Sequence, residues 1–93
     1  MTYMSIDRIL KDWARRNSLT LHTVYKEIEI RSVEIVDKGG SRFQIWVDAP
    51  DDAGQIGLHV WDFKRKRRDF LVASVDLNEY LENVLKIARS WAK

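Results

Sequence analysis

Two histidines, a knot of aspartates, a row of aromatics and a run of five cations are the residues in this 93-residue chain that could do chemistry. His22 and His59 lie in separate extended segments, with no H-E-x-x-H pairing. Catalysis needs a nucleophile, a base and an orienting group within reach of one another. A histidine between Leu58 and Val60 reads more simply as a sheet-face residue. Asp48, Asp51 and Asp52 in "DAPDDAG" bring three carboxylates together, a set that a hard cation can use. Their spacing is not that of a calcium loop, and a solvated acidic loop is the simpler reading. The glycines at 39, 40, 54 and 57 form no phosphate-cradling fingerprint. The absence of cysteine excludes a disulfide framework, a thiolate zinc site and a cysteine nucleophile. The expectation is a protein that is not an enzyme, with no catalytic residue, cofactor or metal.

The cations stand together as Lys64, Arg65, Lys66, Arg67 and Arg68 within "FKRKRRDF". They dominate the charge balance. The whole chain carries 16 basic and 14 acidic side chains; without these five it carries 11 against 14, a net of −3. A dedicated nucleic-acid domain spreads its cations over a face, whereas here one segment holds the excess. Two readings stand. The run is the wet tip of a five-residue hairpin loop, flanked by Asp62 and Asp69, which would meet at its base and offer carboxylates to the nearest cations. Alternatively it is an electropositive finger for phosphate or an acidic protein, with a sequence-blind, salt-sensitive affinity on nucleic acid.

The second constellation is Trp46, His59, Trp61 and Phe63. Period-two alternation puts these four on one sheet face, opposite Phe43, Ile45, Val47, Leu58 and Val60. If helices cover the aliphatic face, the aromatic face is open, and a contiguous apolar patch marks a partner or ligand surface. If the faces are swapped, the aromatics are core. Alternation cannot choose between the two.

The elements that would position these residues read as follows. Residues 5–16 carry an amphipathic stripe of Ile6, Ile9, Leu10, Trp13 and Ala14, with Ser5 as cap and Asn17 as a left-handed stop. Residues 21–37 read as one extended segment. Its apolar phase flips near Arg31 and Ser32, which implies a bulge or bend there, or two short strands. Gly39-Gly40 marks a turn. Strands follow at 42–48, 56–63 and 69–74. Asp76 with Glu79 reads as a capping box, with Val75 and Tyr80 as the staple across it. A continuous stripe from Leu77 to Ala92 then makes the last helix. The sum is one α+β domain over residues 1–93: N-terminal helix, antiparallel meander of three to four strands, C-terminal helix, in two layers. No leader or membrane-length apolar run is visible, so a cytoplasmic protein with no membrane partner is expected.

The terminal helices, "IDRILKDWARR" and "DLNEYLENVLKIARSWAK", resemble those of small bacterial immunity proteins of polymorphic toxin systems. The resemblance implies a single cytoplasmic α+β domain that neutralises a toxin by binding it. With the aromatic row it points to a protein-binding module, whose partner is another protein or a second copy in a homodimer. Nucleic-acid binding through residues 64–68 is the alternative.

Overall fold

The computed structural model describes residues 2–92. Helix α1 (Asp7–Arg16) is followed by strands β1 (His22–Tyr25), β2 (Ile28–Val36), β3 (Arg42–Val47), β4 (Gln55–Trp61) and β5 (Arg67–Ala73). A 3₁₀ turn (Ser74–Asp76) leads into helix α2 (Leu77–Trp91). The strands form one antiparallel sheet in the order β1-β2-β3-β4-β5, each paired with its neighbour in the chain. The architecture is the expected helix–meander–helix, with five strands in place of three or four.

The added strand comes from the segment that reads as continuous over 21–37. The chain reverses at Lys26 and Glu27, whose φ angles are 50° and 69°, and Tyr25 pairs with Ile28 across the reversal. Tight hairpin turns with both central residues left-handed ordinarily use Asn-Gly. Lys-Glu has no such signature, so alternation alone runs straight through the turn. The phase flip near Arg31 is real as well. Between Glu29 and Ser32, β2 holds one residue more than β1 holds between Val24 and His22, a bulge at Ile30 and Arg31.

The bulge turns Arg31 inward, where it ties α1 to the sheet. Its Nε donates to Asp7 Oδ1 at 2.8 Å and its Nη2 to Asp7 Oδ2 at 3.2 Å. The guanidinium lies 4.2 Å from the Tyr3 ring centroid, and Tyr3 Oη donates to Val47 O at 2.7 Å. The hydrogen bonds from Arg31 hold the Asp7 carboxyl below its usual range, against the opposing effect of partial burial.

The helix ends differ in detail from the sequence reading. No side-chain hydrogen bond caps α1, which opens after Ile6. The Tyr3 carbonyl accepts the Ile6 and Asp7 amides, so Ser5 does not act as the cap. The left-handed residue after α1 is Ser18 (φ 56°), while Asn17 bonds back to Trp13 O. At α2, Asp76 occupies the N-cap position without a capping bond, because the 3₁₀ turn leads directly into the helix. Val75 is 88% exposed, so no staple forms.

Three hairpin turns share one device. The carboxylate of Asp37 accepts the Gly39 and Ser41 amides, and that of Asp51 accepts those of Ala53 and Gln55. Asp62 accepts the amides of Lys64, Arg65 and Lys66. A short side-chain acceptor at the start of a turn replaces the ladder partners that the turning amides lack.

Both helices pack on the aliphatic face. Leu10, Trp13, Leu81, Leu85 and Ala88 share one core with Val33, Phe43, Ile45, Leu58, Val60 and Val72. Every sheet residue in that core lies on the face opposite Trp46, His59 and Trp61. The choice that alternation leaves open is thereby made: neither helix covers the aromatic face.

Candidate binding site

The uncovered face is built from cross-strand neighbours. Ser32 on β2 pairs with Trp46 on β3, Trp46 with His59 on β4, and His59 with Asp69 on β5. The next row is Glu34, Gln44, Trp61 and Arg67. Directly opposite side chains on a pleated sheet lie within contact distance, so the register alone assembles the cluster. Trp46 stacks on His59 with ring centroids 4.5 Å apart and 17° between planes. It meets Trp61 edge-on at 6.4 Å, and Trp61 meets Phe63 at 4.9 Å. All four sequence-picked rings form one contiguous, half-buried patch.

Phe63 reaches the patch differently from the expectation. Strand β4 stops at Trp61, and Phe63 sits in the β4–β5 turn at φ 63°, a conformation that costs a bulky residue energy. Its ring packs on Trp61, and the Arg42 guanidinium lies 4.9 Å from its centroid.

His59 is fixed from both sides. Its Nδ1 is 2.6 Å from Asp69 Oδ1, and its Nε2 is 2.7 Å from Asp48 Oδ2. An imidazolium donates to both carboxylates; a neutral ring has one N–H and serves one. The bond from His59 holds the Asp69 carboxyl below its usual range against partial burial, and Arg67 adds a second bond and a positive charge. Gly57 makes the Asp48 contact possible. A Cβ there would run into Asp48 Oδ2 and come within 3.0 Å of His59 Nε2. The acidic loop is therefore divided. Asp48 serves His59 and Asp51 closes its own turn, so the carboxylates at 48, 51 and 52 do not act as one cluster.

The basic run is divided too. It is not one loop: the turn spans residues 62–66, and Arg67 and Arg68 already belong to β5. They point to opposite faces. Arg67 lies 5.1 Å from the Trp46 ring centroid and pairs with Asp69. Arg68 lies over Phe70, on the helix-covered side. Asp62 and Asp69 do not meet at the base to share the cations, because Asp62 is spent on backbone amides. Partial desolvation pushes its carboxyl up, and the amides of Lys64, Lys66 and Arg65 more than offset this, leaving it below its usual range. Lys64, Arg65 and Lys66 form the exposed tip, with no ion pair among the described residues.

A pocket of about 190 Å³ opens on the same face, lined by Tyr25, Ile30, Ser32, Gln44, Trp46, Trp61 and Arg67. Of these, Trp46, Trp61 and Arg67 belong to the aromatic row and the basic run that stand out in the sequence. Gln44 was legible, since it shares the phase of Trp46. Tyr25 arrives because the Lys26–Glu27 turn folds β1 back along β2, while Ile30 stands on β2 itself, two residues before Ser32. Ser32 was hidden by the bulge that sets its phase. Trp61 Nε1 donates to Gln44 Oε1 at 3.1 Å.

No helix among the described residues is long and apolar enough to cross a membrane. No family model, no curated protein and no solved structure matches the chain, so the fold and this face stand on their own geometry.

Proposed function

We propose that the chain is a non-enzymatic, cytoplasmic binding module that docks another protein on the open face of its sheet. One observation carries the reading: a contiguous aromatic patch around a pocket, on a face that neither helix covers. Interfaces draw their affinity from a few aromatic and arginine anchors around a desolvated pocket, and Trp46, Trp61 and Arg67 are such a set. Their rotamers are held by the Gln44 bond, the His59 stack and the Asp69 pair, which lowers the ordering cost on binding. The absence of chemistry is supported by His59, whose two nitrogens are both engaged by carboxylates. The likeness of the terminal helices to toxin-immunity proteins favours the same class of role.

The charge pattern disfavours nucleic acid. On the aromatic face Glu34, Asp48 and Asp69 stand against Arg42 and Arg67, and both arginines are already paired with carboxylates. The unpaired cations of Lys64, Arg65 and Lys66 lie at the Phe63 end of the patch, away from the Trp46–His59 stack, so polyphosphate would find little free positive charge beside the central rings. The test is affinity capture with the wild-type chain and a Trp46→Ser/Trp61→Ser variant, with and without nuclease, at low and high salt. The expected result is a protein retained by the wild type in 0.5 M salt after nuclease treatment and lost by the variant. Retention that nuclease or salt abolishes would assign the contact to residues 64–66 and phosphate.

A further inference from the structure

The pocket has a polar floor that the fold leaves unused. Ser32 is 5% exposed and Gln44 8% exposed, so both residues are more than nine-tenths buried. They lie diagonally across the β2–β3 pairing, close enough to serve one bound group. The Trp61 indole can only donate, which fixes the Gln44 oxygen toward it and leaves both N–H donors of the Gln44 amide without a partner among the described residues. The Ser32 hydroxyl likewise has no partner among the described residues. Neither group is sealed from solvent, since the buried side-chain atom left without a partner among the described residues is Trp13 Nε1, so both are open to a group that enters the pocket. Above this floor the walls are apolar: Tyr25, Ile30, Trp46 and Trp61.

We infer that the pocket is the seat of a single tyrosine side chain presented by the partner protein, an inference that rests on the protein-binding reading above. At about 190 Å³ the space suits one side chain and is smaller than the pockets of cofactors and drug-sized ligands. A phenol ring satisfies the apolar walls. Its oxygen accepts from the Gln44 amide, and its hydrogen is available to the Ser32 hydroxyl. Phenylalanine fills the walls and leaves the floor unpaired. Phosphotyrosine would place two negative charges on a face that already holds Glu34, Asp48 and Asp69, with Arg67 committed to Asp69. The anchor comes from a different protein, not from a second copy. Of this chain's three tyrosines, Tyr3 is core, Tyr25 lines the pocket itself, and Tyr80 packs on Phe70.

The test needs no identified partner. The ¹⁵N-labelled chain is titrated with N-acetyl-tyrosinamide, N-acetyl-phenylalaninamide and the O-phosphorylated tyrosine analogue, following the Trp46 and Trp61 indoles and the Gln44 side-chain amide. The tyrosine probe should bind in the millimolar range, about tenfold more tightly than the phenylalanine probe, the factor expected of one or two net hydrogen bonds. The phosphorylated probe should bind more weakly than either. Ser32→Ala and Gln44→Met should bring tyrosine and phenylalanine to within about twofold of each other, with phenylalanine binding retained. Equal binding of the two probes by the wild type, tighter binding of the phosphorylated probe, or shifts confined to residues outside the pocket would each overturn the inference. These outcomes are separable from the capture experiment. A face-dependent partner with no phenol preference refutes the anchor alone, whereas phenol selectivity without a face-dependent partner refutes the docking reading.

Discussion

Removing the Asp7 carboxylate strands a buried cation, and the size of the effect can be worked from the geometry around Arg31. The guanidinium side chain is 10% exposed and takes two of its contacts from Asp7, at 2.8 and 3.2 Å. In Asp7→Ala it keeps a 3.4 Å bond to Thr23 O, the Tyr3 ring and Glu29 at 3.8 Å. Breaking a fully buried pair from one side costs about 3–5 kcal/mol. Asp7 itself is 24% exposed and Glu29 offers a weaker substitute, so the expected loss is about 2 kcal/mol, below that range. For a domain of this size that is a fall of about 8–16 °C in Tm. Because the folded Asp7 carboxyl titrates below its unfolded value, its contribution is fully present above the unfolded value and is lost as pH falls through the folded one. The gap between wild type and Asp7→Ala should thus be constant from pH 5 to 7 and narrow on acidification below about 4. Urea unfolding followed by tryptophan fluorescence reads both quantities. A double-mutant cycle with Arg31→Met should show coupling of about 1–2 kcal/mol. A gap below about 0.5 kcal/mol at pH 7, or one indifferent to acid, would refute the account of Asp7 as the clamp of α1 on the bulge.

Other perturbations follow from single features. Lys26→Asn with Glu27→Gly relieves two left-handed non-glycine residues and should stabilise the fold by about 1–2 kcal/mol, seen as a rise in Tm. Gly57→Ala forces Asp48 off His59 and should cost about 1–3 kcal/mol, with the His59 ring resonances losing the upfield shift that stacking on Trp46 imposes. Trp13 buries its indole N–H without a partner. Trp13→Phe should therefore cost about 1 kcal/mol, far less than the 3–5 kcal/mol of Trp13→Ala, both read from the urea midpoint. Replacing Lys64, Arg65 and Lys66 together with Gln should leave that midpoint unmoved, since the tip is solvated, whereas Asp62→Ala should lower it by orphaning three amides.

What the sequence determines by itself is whatever depends on period and local chemistry. The stripe from Leu77 to Ala92 has one solution, a helix with one buried face, and Leu77, Leu81, Val84, Leu85 and Ala88 lie in the core. Alternation likewise assigns Phe43, Ile45 and Val47 to one face and Trp46 to the other, and Gly39-Gly40 marks a reversal with Gly40 left-handed. The tertiary structure alone decides which face the helices cover, because a period of two separates faces without saying which is packed. It decides the Lys26–Glu27 reversal, where pairing along β2 outweighs two unfavourable φ angles. It decides the partners of His59 as well: Asp48 and Asp69 lie 11 and 10 residues away in the chain and meet the imidazole only through strand register. The pocket belongs to the same class. Its lining comes from all five strands, and contact between side chains so distant in sequence is a property of the sheet's register and curl, which no local pattern encodes.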